Sequence, residues 1–197
     1  MALATTFGTN ALADGANSSQ ESTALRVQIY DYADLDAAVL GRFLSLTQKI
    51  LAGTGMSARV SLCRGNGSLP CEPVGAESAQ PLVVRIIAGG AKTMNNARCE
   101  PLGQSFADHD GGAVASVFVA PARDQAAGAN IALITVLSYA AAHEVGHLLL
   151  GDRAHTSRGV MKASWDRSDY IAMDQNHFHF TKEQSEILSR RYGNTGR

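Results

Sequence analysis

The long apolar run at residues 131–150 restricts the fold of this chain more than any other segment, because ionisable side chains interrupt it. His143, Glu144 and His147 lie in its second half, among leucine, valine and alanine residues. A membrane span would bury all three groups, at about 3 kcal/mol for each charge near the bilayer centre. We therefore expect a buried core helix over this run and no membrane span.

The composition is that of one folded domain. The chain has 197 residues, of which 45% are apolar and 18% are charged, which is enough to bury a core in a single domain. The formal net charge is -1, and no segment gathers the lysine and arginine that phosphate backbones require. Nucleic acid is therefore not an expected partner. The chain is assumed to be a monomer.

The first 23 residues are small and polar without periodicity, and they predict a disordered N-terminal tail. They lack the basic region and the apolar run of a signal peptide. The compartment stays open, with a secreted or periplasmic location slightly favoured. One domain is expected over 24–197, made of an upper part, 24–151, and a small C-terminal part, 152–197.

Alternating polar and apolar residues, many of them β-branched, predict a twisted mixed sheet of about four strands. The predicted strands cover Leu25–Tyr30, Ala58–Leu62, Leu82–Ile87 and Ala115–Val119. Val117–Val119 is expected to be the edge strand, because Pro121 follows it. Residues 91–113 are expected to form a long connection.

Apolar side chains at every third or fourth position predict a first helix over Ala33–Ala52, which crosses the sheet. The core helix is predicted over 130–150, with Asn130 as a candidate N-cap. A capping box at Thr181–Gln184 opens a last helix that ends near residue 191. Together these elements predict an α/β (α+β) fold with the core helix packed under the sheet.

Three cysteines are too few for a disulfide scaffold and lack the spacing of a structural zinc site. Cys63 and Cys71 flank a short loop and could close a small disulfide in an oxidising compartment or remain thiols. Cys99 is then a buried apolar residue.

The core helix carries an HExxH motif from His143 to His147 in its last turns. Residues four apart on a helix project from one face, so the two imidazoles can bind one ion. Glu144 lies beside them and can take a proton from a water whose pKa Zn²⁺ lowers to about 7. In an apolar helix, each unpartnered polar group costs about 1–3 kcal/mol, which favours a shared metal. The motif therefore predicts one catalytic zinc ion with Glu144 as the catalytic residue.

A catalytic zinc site needs a third protein ligand and one open position. The chain leaves the predicted helix at Gly151, a left-handed stop, and His155 follows four residues later. We expect His155 to complete the site, with Asp152 as the alternative third ligand. Met161 ends a tight turn, and its thioether is expected to pack beneath the histidines.

The stretch Ala142–Met161 resembles the corresponding stretch of metzincin-type zinc metalloproteases, and more narrowly a group of short bacterial proteins assigned as metalloproteases. The shared pattern is AHExGHLLL, then Gly, His and Gly-x-Met, with further matches at Trp165 and Phe180–Thr181, about a quarter of the chain. The resemblance implies a zincin-like fold and peptide-bond hydrolysis. It also implies that the three histidines bind zinc, that Glu144 is the general base and acid, and that Met161 is the Met-turn residue.

One departure from the metzincin pattern concerns the third ligand. In HExxHxxGxxH, the glycine and the last histidine come three and six residues after the second histidine, whereas Gly151 and His155 come four and eight after it. Arg153 stands at the usual ligand position and cannot bind zinc, because its guanidinium stays protonated. We expect a slightly longer helix to absorb the two extra residues.

Other segments carry candidate groups of lesser weight. His177 and His179 point to one side of an extended segment, where a surface stretch is favoured over a second metal site. Asp108–Gly112 has oxygen ligands at calcium-like spacing but is expected to be a turn. Tyr170 is a candidate oxyanion donor, and Trp165 is expected to fill the core beneath the methionine turn.

The sequence therefore predicts a zinc-dependent hydrolase of peptide bonds, with a peptide or protein as its partner. The substrate is expected to lie in a cleft and to pair with the edge strand. An endopeptidase is mildly preferred, because no segment suggests a site for a terminal charge. Two alternatives stay open: a non-catalytic, zinc-stabilised domain that binds a peptide or protein, and a zinc hydrolase that acts on a non-peptide amide.

Overall fold

The computed structural model describes residues 24–63, 71, 80–90, 100–107 and 113–193. The predicted tail, Cys99 and the predicted turn at Asp108–Gly112 lie outside these residues. The helices and strands follow in this order: β1 (Leu25–Asp31), α1 (Ala37–Ala52), β2 (Ala58–Cys63), β3 (Leu82–Ile87), β4 (Gly103–Ala107), β5 (Ala113–Phe118), α2 (Val119–Ala129), α3 (Leu133–Leu150), α4 (Arg167–Asp174) and α5 (Lys182–Tyr192).

The five strands form one sheet in the order β2-β1-β3-β5-β4. β1, β2, β3 and β5 run parallel, and β4 pairs antiparallel with β5. This mixed sheet confirms the predicted fold class, with one strand more than expected. The additional strand is β4, which lies inside the predicted connection at 91–113. Its sequence, Gly-Gln-Ser-Phe-Ala, has one strongly β-prone residue, so no periodic signal identifies it.

The prediction that Val117–Val119 is the edge strand is wrong. β5 lies inside the sheet between β3 and β4, and its last four residues are buried. Val119 and Pro121 belong to the first turn of α2, where proline is tolerated because its nitrogen needs no helical partner. The edge beside β5 is β4.

α1 begins at Ala37, four residues later than predicted. The Asp31 carboxylate accepts hydrogen bonds from the backbone N–H groups of Ala33 and Leu35, at 2.9 and 2.8 Å. These bonds hold the segment in a turn and compete with helix formation. Asp36 then caps the helix by accepting from the Val39 N–H at 2.9 Å.

The core helix α3 begins at Leu133, and Asn130 is not its N-cap. Asn130 instead ends α2 in the left-handed conformation, with φ 57°. Asparagine tolerates this conformation better than most residues. The expectation of a single helix from residue 130 therefore missed α2, whose alanine-rich sequence has little apolar periodicity.

α3 packs against the sheet and α1, at the centre of the core. By length and composition, it is the one helix in the described chain apolar enough to cross a membrane. In the fold, 72% of that apolar stretch is buried inside the domain. The fold therefore agrees with the expectation of a core helix.

α5 opens with the predicted capping box. The Gln184 N–H donates to Thr181 Oγ1 at 3.3 Å, and the Thr181 N–H donates to Gln184 Oε1 at 3.1 Å. The preceding Phe178 is buried, whereas His177 and His179 are exposed. This alternation fits the favoured interpretation of a surface stretch.

A disulfide joins Cys63, the last residue of β2, to Cys71. Of the two states that the sequence leaves open, the structure contains the bonded one. The Cys71 Sγ also lies 3.7 Å from the Tyr30 hydroxyl, at the end of the neighbouring strand β1.

Candidate metal centre and cleft

Three imidazoles converge at the C-terminal end of α3. The His147 Nε2 lies 3.1 Å from the His143 Nε2 and 3.0 Å from the His155 Nε2. One ring nitrogen from each of the three residues falls within 4.8 Å of the others. The structure thus brings together the three histidines that the sequence predicts as ligands. In the part of the chain that is described, this is the one such group.

Two backbone features bring the third imidazole back to the helix. His143 and His147 are four residues apart on α3 and share one face. α3 ends at Leu150, and Gly151 turns the chain with φ 95°, a conformation that favours glycine. The Gly151 N–H donates to the His147 carbonyl at 2.8 Å, and the chain then returns to His155. The predicted stop at Gly151 therefore has the expected positive φ.

Hydrogen bonds to the backbone orient the first two rings. The His143 Nδ1 lies 2.7 Å from the Val160 carbonyl oxygen, and the His147 Nδ1 lies 3.3 Å from the Gly151 carbonyl oxygen. A carbonyl oxygen only accepts, so Nδ1 donates in both rings, and in the neutral form of each imidazole Nε2 then has a lone pair. This tautomer is the one that binds a metal through Nε2.

The donor set fits a zinc ion. Burial lowers the pKa of His143 to about 4, against the opposing effect of the Val160 hydrogen bond, so this ring is neutral at pH 7. Burial and the neighbouring His147 also lower the pKa of His155. Neutral nitrogens that face each other at 3.0–3.1 Å would repel unless a proton or cation lies between them. Tetrahedral zinc with Zn–N bonds of about 2.0–2.1 Å sets its ligand nitrogens about 3.3 Å apart.

Glu144 is buried between α3 and the edge strand β4. Its side chain is 7% exposed, and burial raises the pKa of the carboxyl to about 7, opposed by a hydrogen bond that the Ser105 hydroxyl donates. Gly103 leaves room for it, because a Cβ at that position would lie 2.6 Å from Glu144 Cγ and 2.7 Å from Oε1. Gly103 and Ser105 could not be identified from the sequence, because no periodic pattern marks β4.

Met161 packs directly beneath the histidine-bearing turn of α3. Its side chain is fully buried. A Cβ at Gly146 would overlap the Met161 Sδ and approach Phe180 Cε1 to 3.1 Å. The glycine inside the HExxH motif therefore lets the methionine reach the helix, as the predicted packing of Met161 requires.

Trp165 packs against the core, as expected, and it also forms a wall of the cleft. The side chain is half-buried, and its ring packs edge-on against His143, with centroids 5.8 Å apart. It also contacts Phe178 and Tyr170, at 6.0 and 6.3 Å. The buried Tyr170 lines the same cleft, and its hydroxyl donates to Gln125 Oε1 at 3.3 Å.

The cleft above the histidines has a volume of about 580 Å³. Asp152 lines it but does not belong to the three-histidine group, so the geometry favours His155 over Asp152 as the third ligand. The lining residues come from β4 and the segment before it, from α2 and α3, and from the segment after α3: Glu100, Pro101, Leu102, Gly103, Ser105, Gln125, Ala140, His143, Glu144, His147, Asp152, His155, Lys162, Ala163, Ser164, Trp165 and Tyr170.

No protein-family model and no curated protein matches the sequence. Solved structures do match the fold. Archaemetzincin from Methanopyrus kandleri is 17% identical, with a TM-score of 0.52 over 87% of this chain and 97% of that chain. A zinc-dependent peptidase from Methanocorpusculum labreanum is 13% identical, with a TM-score of 0.54 over 82% of this chain and 99% of that chain. At these identities the likeness establishes a zinc-peptidase-like fold.

Proposed function

We propose that this protein is a zinc-dependent hydrolase of peptide bonds, of the metzincin type. The observation that carries the proposal is the convergence of three imidazole Nε2 atoms beside one buried carboxylate, on the wall of an open cleft. The fold likeness to archaemetzincin and to a zinc-dependent peptidase supports the same class. His143, His147 and His155 would hold one zinc ion.

Zinc and the residues around it would have separate roles in the reaction. When bound, zinc supplies a Lewis acid and brings the pKa of water to about 7. Glu144 takes the proton of the attacking water on its carboxylate and passes it to the amine that leaves. Ser105 orients this carboxylate by a hydrogen bond, and Gly103 leaves the space it occupies.

β4 supports an extended substrate. The Phe118 N–H donates to the Leu102 carbonyl at 2.9 Å, which makes 102 and 118 a hydrogen-bonded pair. In an antiparallel ladder such pairs alternate, so the backbone groups of Gly103 and Ser105 point away from β5. No other strand of the described chain pairs with this side of β4. A peptide added there would run past Glu144.

Cleavage within a chain is favoured over removal of a C-terminal residue. A carboxypeptidase needs a free cation to hold the terminal carboxylate. Apart from the histidines, Lys162 is the basic side chain among the described lining residues, and its Nζ is bound to Asp166 and Asp169. This arrangement supports the preference for an endopeptidase.

The test combines zinc content with cleavage of a denatured protein, with and without a chelator. The wild-type chain should bind one zinc ion per molecule and cleave, and chelation should abolish cleavage. Glu144→Gln should still bind zinc and lose about 10²–10⁴-fold in rate, because general acid–base catalysis supplies that factor. Glu186→Gln, on the exposed side of α5, is the matched control and should cleave normally.

Two outcomes would reject the proposal. Zinc binding with equal activity in the wild type and Glu144→Gln, or with none in either, would favour a non-catalytic domain that binds a peptide or protein. Hydrolysis of small amides without cleavage of any peptide would favour a hydrolase of non-peptide amides.

A further inference from the structure

We propose that Gln184 is a positioning residue for the third metal ligand, His155. The inference rests on the metal-binding role given to His155 in the proposed function. It concerns the segment between the end of α3 and His155, where this chain has two residues more than the metzincin spacing.

The ring of His155 depends on its backbone for orientation. His143 and His147 each have an Nδ1 bonded to a backbone carbonyl. Within the described residues, the ring of His155 has no such bond, and it contacts the other two histidines at centroid distances of 5.3 and 4.6 Å. It is also exposed, so little packing restrains it. The position of its imidazole therefore follows from the position of residues 154–156.

Three hydrogen bonds hold the backbone of these residues. The Ala154 N–H donates to the Gly151 carbonyl at 3.1 Å, and the Thr156 N–H donates to the Met161 carbonyl at 3.0 Å. The third bond comes from α5: Gln184 Nε2 donates to the Ala154 carbonyl at 3.0 Å. It joins the residue before His155 to the first turn of α5.

Gln184 uses both ends of its amide and is 6% exposed. Its Oε1 accepts from the Thr181 N–H in the capping box, and this bond turns Nε2 toward Ala154. Glutamate serves equally well at this capping position. The glutamate carboxylate has no N–H, however, and could not donate to the Ala154 carbonyl. The bond to Ala154 therefore gives a reason for glutamine here that capping alone does not supply.

α5 is itself anchored to the rest of the domain. At its far end, the Ser57 N–H donates to the Tyr192 carbonyl at 2.9 Å, which attaches the helix to the chain just before β2. The buried Leu188 packs α5 into the core. Gln184 thus holds Ala154, the residue before His155, at a fixed position relative to α5.

The test compares Gln184→Glu with Thr181→Ala in the full chain. Gln184→Glu keeps the capping acceptor and loses the donor to Ala154, and Thr181→Ala loses the Oγ1 cap but keeps the backbone N–H that orients Gln184. We expect Gln184→Glu to weaken zinc binding about tenfold in a chelator competition, at the lower end of the effects of outer-shell partners. Thr181→Ala should bind zinc within about twofold of the wild type.

Cobalt absorption gives a second readout that helix stability alone would not move. The Co²⁺ spectrum of Gln184→Glu should shift toward that of His155→Ala, and the spectrum of Thr181→Ala should match the wild type. If the buried charge prevents Gln184→Glu from folding, the uncharged Gln184→Met, which loses the bond to Ala154 together with the Oε1 acceptor, should show the same loss of affinity.

Unchanged affinity and spectrum in the Gln184 variants, or an equal loss in Thr181→Ala, would overturn this inference. A wild-type chain that binds neither Zn²⁺ nor Co²⁺ would overturn it together with the proposed function. A wild-type chain that binds the metal but cleaves no peptide would refute the proposed hydrolase alone, because the role of Gln184 is read from metal binding.

Discussion

Glu144 and Gly103 face each other across a space too small for a second side chain. A Cβ on Gly103 would lie 2.6 Å from Glu144 Cγ and 2.9 Å from Glu144 Cδ, closer than carbon atoms pack. The orientation of Glu144 therefore depends on a glycine in another element, and on the Ser105 hydroxyl two residues further along β4.

Gly103→Ala should displace the Glu144 carboxylate while leaving the three histidines in place. We expect peptide cleavage to fall about 10²-fold, because a shift of about 1 Å in a catalytic group costs that much. Zinc affinity should stay near the wild-type value. Gly128→Ala is the control, because nothing lies within 4 Å of a Cβ at that position. Equal rates in both variants would contradict the role of Gly103.

Variants of His155 and Asp152 distinguish the two candidates for the third ligand. Because His155 belongs to the three-histidine group and Asp152 does not, His155→Ala should weaken zinc binding by more than about 100-fold, beyond the usual loss from an outer-shell partner. Asp152→Ala should stay within about twofold of the wild type. Competition with a chelator measures both affinities, and the reverse order would make Asp152 the ligand.

At the scale of the elements, α3 combines two functions that restrict each other. One face carries the histidines, and the other must pack into the core. Gly146 lies on the packed side, where Met161 and Phe180 occupy the space that a side chain would need. A larger residue at this position would push the methionine turn away from the helix.

Gly146→Ala and Gly41→Ala should therefore have opposite effects, although both replace a glycine inside a helix. Overpacking against Met161 should lower the free energy of unfolding of the first variant by about 1–3 kcal/mol. Gly41 is exposed on α1 with nothing within 4 Å of an added Cβ, so its replacement should raise stability by about 0.5–1 kcal/mol. Urea unfolding of the metal-free proteins measures both. Equal shifts in the two variants would show that Met161 does not restrict Gly146.

At the scale of the whole molecule, the candidate metal site brings α3 together with the chain that follows it. Two of its histidines lie on α3, and the third follows Ala154, whose carbonyl accepts a hydrogen bond from Gln184 of α5. A metal ion bound by all three would therefore link the C-terminal segment to the upper part of the domain.

Zinc should stabilise the wild-type fold in a concentration-dependent manner. A ligand that binds only the folded state raises the free energy of unfolding by about 2.7 kcal/mol at 100 times its Kd. Thermal unfolding with zinc, and again after addition of a chelator, measures this gain and its reversal. The gain should be smaller in His155→Ala. A midpoint that does not respond to zinc would argue against a site that spans the two segments.

The sequence predicted those elements whose local pattern agrees with their tertiary contacts. The apolar run over 131–150 predicted α3, the four-residue spacing set His143 and His147 on one face, and the capping box gave the start of α5. The sequence was a poor guide at Asn130 and Pro121, because each residue suits both the end of one element and the start of another. The neighbouring residues then decide between these roles.

The amino-acid sequence by itself determined that His143, Glu144 and His147 lie close together, because all three fall within five successive residues of one helix. Only the tertiary structure decided what surrounds them. β4 has almost no local signal and exists because β5 pairs with it, and the contacts of Gly103 with Glu144 and of Gln184 with Ala154 join residues distant in the chain. Such contacts depend on how elements pack against each other, which the periodicity of a single segment does not encode.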